Sequence, residues 1–304
     1  MTKRNELAVL IAFVLFSAIT ACAPTTSPSA SSQLRVVATT TQVAALAKVV
    51  GGDYIALNGL LPIGVDPHEY ELTPADLRAL ADAQVIIKNG LGFEKPFDQP
   101  IANLGGKVLV VDTSTGAAIR KGDEQEPQGD THIWHSIPNA IVMLNNIRDG
   151  LIKADPAHAD AYRTNAAAYE DKLNELDQYI KQQIATIPPA NRKLVTNHDA
   201  FGYYLDRYGL TLVGSVIPSM DTSYEPSAKE LADLVRQIKA QQVKAVFTEA
   251  SINSALAKQI AQEAGVRVVE GGLYGDTLGP PGSGAETLDG MLKHNTDVIV
   301  SNLK

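Results

Sequence analysis

Six histidines are spread through the 304-residue chain: His68, His132, His135, His158, His198 and His294. Imidazole is the commonest side-chain ligand for transition metals, yet a lone histidine is more often a surface or hydrogen-bonded residue. Position sets three of them apart. His68 lies in Gly64-Val65-Asp66-Pro67-His68-Glu69-Tyr70, a turn ahead of a helix start at Thr73-Pro74. His132 lies in Asp130-Thr131-His132-Ile133-Trp134, before a helix near Asn139. His198 lies in Thr196-Asn197-His198-Asp199, directly after a strand. Parallel α/β sheets bind ligands outside the carboxyl ends of their strands, so loops distant in sequence can bring these imidazoles together in a cleft. His135, three residues past His132, could share its helical face and compete for a ligand role. His158 and His294 sit within helical patterns and read as surface residues.

The elements that must position these loops form an α/β pattern. Short β-branched runs at Leu34 to Ala38, Val85 to Lys88 and Val108 to Val111 alternate with helices at Gln42 to Val50 and from Pro74 to about Ala83, and Tyr54 to Leu60 reads as a strand. That alternation predicts parallel βαβ units. From Pro156 to Ile187 the apolar residues Tyr162, Tyr169, Leu173, Leu176, Ile180 and Ile184 recur at helical spacing among good helix formers, giving one long amphipathic helix stopped by Pro188-Pro189. The rhythm then restarts, with strands at Lys193 to Thr196, Thr211 to Val216, Ala245 to Thr248 and Val266 to Val269. Helices are expected at Ala200 to Tyr208, after the Ser227-x-x-Glu230 capping box, at Ser254 to Ala264 and at Leu288 to Leu303. The expected architecture is two Rossmann-like βα lobes, residues 34–155 and 190–304, joined by a backbone helix over 156–187.

The chain begins with an address. Lys3 and Arg4 precede an apolar run from Leu7 to Ile19, too short for comfortable membrane spanning, which needs about 20 apolar residues. It fits the centre of a secretory signal over residues 1–21. The run ends in Ile19-Thr20-Ala21-Cys22, which resembles a lipobox and implies lipidation of Cys22, the only cysteine in the chain. That single cysteine excludes an intrachain disulfide framework and any multi-cysteine metal site. Residues 22–33, rich in Ser, Thr, Pro and Ala, are expected to form a flexible tether. Composition is that of an ordinary globular protein, 45% apolar and 20% charged. With 34 acidic against 26 basic residues the formal charge is -8, which argues against a nucleic-acid partner.

Four segments together carry a family resemblance: Asp66-Pro67-His68-Glu69-Tyr70-Glu71, Thr131-His132-Ile133-Trp134, Thr196-Asn197-His198-Asp199-Ala200-Phe201-Gly202-Tyr203 and Tyr274-Gly275-Asp276-Thr277-Leu278-Gly279. In this order after a lipobox, they resemble the metal-binding lipoproteins of bacterial zinc and manganese ABC importers, the cluster A-I or cluster 9 solute-binding proteins. The resemblance spans about Leu34 to Lys304. It implies that His68 and His132 bind metal from the first lobe and His198 and Asp276 from the second. On residue chemistry alone, Gly275-Asp276-Thr277 reads as a turn. Three imidazoles and a carboxylate suit a borderline dication such as Zn²⁺. Glu249 and Asp199 are candidates to orient the imidazoles, although exposure to solvent is the favoured reading of both.

Two features depart from the family pattern. Thr131 stands where a proline often precedes the second histidine, and the segment Gly122 to Gly129 is short and acidic where zinc-type members carry a histidine-rich loop. His198 stands where manganese-type members often have glutamate. Nitrogen donors favour zinc over manganese, so the expected cargo is Zn²⁺ with Mn²⁺ as the alternative. The resemblance implies a monomeric, non-enzymatic receptor outside the cytoplasmic membrane, held by its lipid and serving an ABC permease and its ATPase. Two other functions compete with this reading. A receptor of this fold for a siderophore, haem or cobalamin would use aromatic and arginine contacts. A zinc hydrolase would need an open coordination position and a general base, and the chain has no H-E-x-x-H motif.

Overall fold

The computed structural model describes residues 33–124 and 126–304. The expected leader, Cys22 and the tether up to residue 32 lie outside them. The first half contains β1 (Leu34–Ala38), α1 (Thr41–Gly51), β2 (Ile55–Gly59), α2 (Pro74–Asp82), β3 (Val85–Lys88), α3 (Lys95–Asn103) and β4 (Leu109–Asp112). Its strands form one parallel sheet in the order β2-β1-β3-β4, with Val36 opposite Val85 and Ile86 opposite Val110. Val85, Ile86 and Ile87 are all buried, as expected of a parallel strand covered on both faces. Thr40 caps α1 through the Val43 N–H. Thr73 and Asp76 form a reciprocal capping box on α2, with Pro74 in its first turn.

Helix α4 (Ile137–Ala154) leads through a 3₁₀ turn at Pro156–His158 into α5 (Ala159–Ala185). The expected long helix thus has a tighter first turn, set by Pro156. Its 27 residues span about 40 Å. Tyr162, Ala166, Tyr169, Leu173, Ile180 and Ile184 turn one stripe of α5 into the core. Asp177 on this helix accepts from Arg207, Lys181 and Tyr208 at 2.6–2.9 Å. Burial opposes its charge, but these donors outweigh burial and pull the carboxyl down to about 2.

The second half repeats the plan: β5 (Lys193–Thr196), α6 (Gly202–Tyr208), β6 (Thr211–Ser215), α7 (Ala228–Gln241), β7 (Ala245–Glu249), α8 (Ala255–Ala264), β8 (Arg267–Leu273) and α9 (Leu288–Leu303). Parallel ladders join β5 to β6 and β7 to β8, and β5 packs beside β7. The spatial order β6-β5-β7-β8 therefore mirrors β2-β1-β3-β4. The two lobes are bridged by α5, against which α1, α4 and α9 pack. Among the described residues no helix is long and apolar enough to cross a membrane.

Candidate metal centre

Each lobe sends loops from the carboxyl ends of its strands toward the other. His68 sits in the loop between β2 and α2, and His132 caps a 3₁₀ turn (Ile133–His135) before α4. His198 follows β5, and Asp276 follows β8. The structure brings these four residues together: one ligand-type atom from each lies within 4.8 Å of the others. Oδ2 of Asp276 is 3.0 Å from His198 Nε2 and 3.4 Å from His68 Nε2, while Oδ1 is 3.4 Å from His132 Nε2. A tetrahedron with metal–ligand bonds of about 2.0–2.1 Å has edges of about 3.3 Å, so these spacings match donors around one ion. The four side chains are 0–3% exposed. Apart from one another, the three Nε2 atoms and both Asp276 oxygens have no hydrogen-bond partner. Buried polar atoms are rarely left so, and five such atoms gathered together could jointly hold a cation.

The opposite edges of two imidazoles are held by carboxylates. Asp130 Oδ1 accepts the backbone N–H of His132 at 3.0 Å and lies 2.9 Å from its Nδ1. Arg120 steadies Asp130 Oδ2 at 2.6 Å and reaches Asp206 on α6 at 2.7 Å. Glu249, at the end of β7, places Oε1 2.9 Å from His198 Nδ1 and accepts the His198 N–H at 3.2 Å. Such contacts fix the tautomer and leave Nε2 facing the centre. Burial works against charge on His198, but Glu249 and Asp276 outweigh it and hold its pKa well above the ordinary value. His132 is likewise raised against burial, by Asp276 and Asp130. Asp276 is held well below the usual carboxylate range, because His198 and His132 outweigh its burial.

The Asp276 loop is gripped from the first lobe. Trp134 Nε1 donates to the Gly275 carbonyl at 3.0 Å, and Gln42 Nε2 donates to it at 3.4 Å. Thr41 Oγ1 accepts from the Leu278 N–H at 3.1 Å. A Cβ at Gly275 would stand 2.1 Å from Glu249 Oε2, so only glycine lets this loop pass so close to the carboxylate holding His198.

Beneath the first-lobe loops lies a buried carboxyl, Glu94. It accepts from Thr39 Oγ1 at 2.8 Å, from the Gly90 N–H at 3.0 Å and from the Asn89 N–H. Asn89 in turn donates to the Thr131 carbonyl at 2.9 Å, beside His132. Burial pushes the Glu94 carboxyl up to about 7, against the pull of these donors. The folded protein therefore keeps a proton that the unfolded chain loses near its ordinary value. The resulting stability is present below about 4.5 and is lost as pH rises through about 7, on the order of 3 kcal/mol. Glu94→Gln is expected to flatten this slope. Denaturant midpoints of metal-free protein at pH 5 and pH 8 measure it, and an unchanged slope would show that Glu94 ionises normally.

Other predicted residues fall elsewhere. Glu249 is 2% exposed, which corrects its reading as a solvent-facing carboxylate: the end of β7 buries it behind His198. Asp199 is half-buried with Oδ1 unpartnered, and its backbone N–H donates to the Ser219 carbonyl at 3.0 Å. His135 is 1% exposed with its ring on Phe201 at 4.8 Å, outside the cluster. Burial and His132 push its pKa down to about 3, so it is neutral. His158 and His294 are half-buried rather than surface residues: the first stacks on Tyr54 and contacts Asp155, and the second contacts the Gly272 carbonyl at 3.1 Å. Sequence reasoning missed Asp130, although an acceptor two residues before a ligand is a recognisable Asx-type spacing. A cavity of about 330 Å³ adjoins the site, bounded by Asp66 and Glu69 from the first lobe and Asn197, Thr222 and Glu225 from the second.

The fold is two-lobed, and this cluster lies where loops from the two lobes meet. Comparison with known proteins agrees. The model of the family "Zinc-uptake complex component A periplasmic" matches residues 36–302. The manganese-binding lipoprotein MntA of Bacillus subtilis (strain 168) is 36% identical, over 97% of this chain and 99% of that protein. The metal ABC transporter substrate-binding lipoprotein FimA of Streptococcus parasanguinis is 31% identical, over 100% of this chain and 99% of that protein. Among solved structures, the periplasmic zinc-binding protein TroA from Treponema pallidum superimposes with a TM-score of 0.84 at 30% identity, covering 89% of this chain and 99% of that one. The chain belongs to this family of metal-binding substrate receptors of ABC importers, and it is not an enzyme.

Proposed function

We propose that this protein captures one divalent transition metal with His68, His132, His198 and Asp276 and delivers it to a membrane permease driven by an ATPase. The observation that carries this reading is the convergence of five unpartnered buried donor atoms at tetrahedral-edge spacing. The lobes are taken as 34–155 and 190–304 with the helix between them, and the receptor as a monomer held outside the cytoplasmic membrane by lipid on Cys22. Because α5 is one stiff rod, lobe closure is modest. A siderophore, haem or cobalamin is disfavoured, since the four groups are buried at a point too small for such ligands. A hydrolase is disfavoured because four protein donors fill a tetrahedron.

Zinc is the proposed preferred ion, since three imidazole nitrogens bind it more tightly than manganese. Manganese is the second reading. Relatives carry manganese in their names, and both Asp276 oxygens face the imidazoles, which permits the higher coordination number manganese accepts. A ligand in thousandfold excess over its Kd adds about 4 kcal/mol to the folded state. For a chain of this size that is a melting-temperature rise of about 10 °C. Thermal melting of chelator-treated protein with Zn²⁺, with Mn²⁺ and with both should give the larger rise for zinc. No rise with either ion would remove the capture function, and a larger rise with manganese would reverse the preference.

A further inference from the structure

His132 and His198 are each backed by a carboxylate of their own lobe, 2.9 Å from Nδ1. His68 is not. The acceptor facing its Nδ1 is Oδ1 of Asp221, 3.8 Å away, in the second-lobe segment between β6 and α7. Ser223 donates to that same oxygen from its N–H at 3.0 Å and its hydroxyl at 2.6 Å, which fixes the carboxylate's direction. Oδ2 of Asp221 meets Lys95 Nζ at 3.0 Å, at the start of α3 in the first lobe, and Lys95 also lies 3.0 Å from Glu126 Oε1. Asp123 of the first lobe fastens the same segment, accepting from the Met220 N–H at 2.9 Å and from Ser219 Oγ at 3.1 Å. His68, Glu126 and Asp221 are themselves grouped within 4.8 Å, but the Lys95 ammonium stands between the two carboxylates where a second cation would sit.

We infer that Asp221 is the positioning residue for His68, and that with Lys95 it forms a clasp between the lobes that tightens when metal occupies His68 Nε2. The inference rests on the four-residue site being the cargo site. At 3.8 Å the His68–Asp221 contact is too long for a hydrogen bond. A metal on Nε2 leaves the proton on Nδ1, aimed at Asp221, as in other sites where a carboxylate orients a ligating imidazole. Contraction to ordinary hydrogen-bond length draws the Ser219–Ser223 segment onto the first lobe. By reciprocity, whatever opens the clasp weakens the hold on the ion. Asp221 never touches the cargo, and a permease that parts the lobes would release the metal by pulling this contact open.

The test uses the full chain labelled with ¹⁵N-histidine and zinc as a diamagnetic probe. Zinc-loaded wild type should show three slowly exchanging Nδ1–H signals, from His68, His132 and His198. Asp221→Ala should lose only the His68 signal and release zinc ~10–100-fold faster, the effect expected when a ligand's orienting partner is removed, with little change in association rate. Asp221→Asn keeps an acceptor oxygen and so guards against a folding defect: it should retain the His68 signal yet release zinc faster, because Lys95 loses its anionic partner in the second lobe while keeping Glu126. Wild-type release rates and three protected signals in both variants would overturn the clasp and leave the metal site standing. Failure of the wild type to take up zinc would overturn the site itself.

Discussion

His198→Ala should weaken zinc binding on the order of a thousandfold while leaving the fold intact. Four-donor structural zinc sites are worth about 10–16 kcal/mol in apparent binding energy, so one donor carries about 3–4 kcal/mol, or two to three decades in Kd. The loss is larger at His198 than at an exposed ligand because two buried carboxylates depend on its ring. Its Nε2 faces Asp276 at 3.0 Å and its Nδ1 faces Glu249 at 2.9 Å. Without the ring, Glu249 keeps only the residue-198 N–H as a close partner and no longer orients a ligand. Competition titration against a chromophoric chelator reads the change. His135→Ala is the control. Its ring lies on Phe201, away from the centre, so its affinity should stay within about threefold of wild type. Unchanged affinity in His198→Ala would remove this residue from the site.

Acidification should weaken binding nearly as strongly. Both His132 and His198 have raised pKa values, opposed by burial and driven by carboxylates. The metal-free protein therefore carries protons that an incoming ion must displace. Each displaced proton adds up to one decade of affinity per pH unit, so lowering pH from 7.5 to 5.5 should cost roughly 10²–10⁴ in Kd. Stability moves oppositely. The raised imidazoles stabilise the metal-free fold most below their ordinary value, and that contribution is lost as pH rises through their raised values. The gain in melting temperature on adding metal should accordingly be larger at pH 8 than at pH 6. An affinity flat from pH 5.5 to 7.5 would mean the imidazoles are already neutral before metal arrives.

Much of this site could be read from local spacing. His68, His132 and His198 each fall where a strand gives way to a helix, and parallel sheets send such loops to one end of the molecule. The capping box at Ser227 and the stripe along α5 were equally visible, because capping and helical periodicity are local. What stayed hidden depends on distance in sequence. Glu249 lies 51 residues from His198, and only the packing of β7 beside β5 buries one behind the other. Asp276 reads as turn chemistry until the neighbouring Gly275 carbonyl is seen clamped by Trp134, 141 residues before that glycine. Helix α3 carries little helical signal in sequence because Pro96 and Pro100 punctuate it, although a proline in the first turn is compatible with a helix. The acidic segment 122–129 is a departure from pattern in sequence; in the fold Asp123 ties the lobes through Ser219 and Met220, and Glu126 pairs with Lys95 within the first lobe.

The central claim is that one dication sits among four side chains from both lobes. Anomalous diffraction at the zinc edge from crystals of zinc-loaded protein tests it most directly. A single peak about 2.0–2.2 Å from Nε2 of His68, His132 and His198 and from an Asp276 oxygen is the predicted result. A peak elsewhere, for instance among His68, Glu126 and Asp221, or no peak in protein that retains stoichiometric zinc, would contradict it.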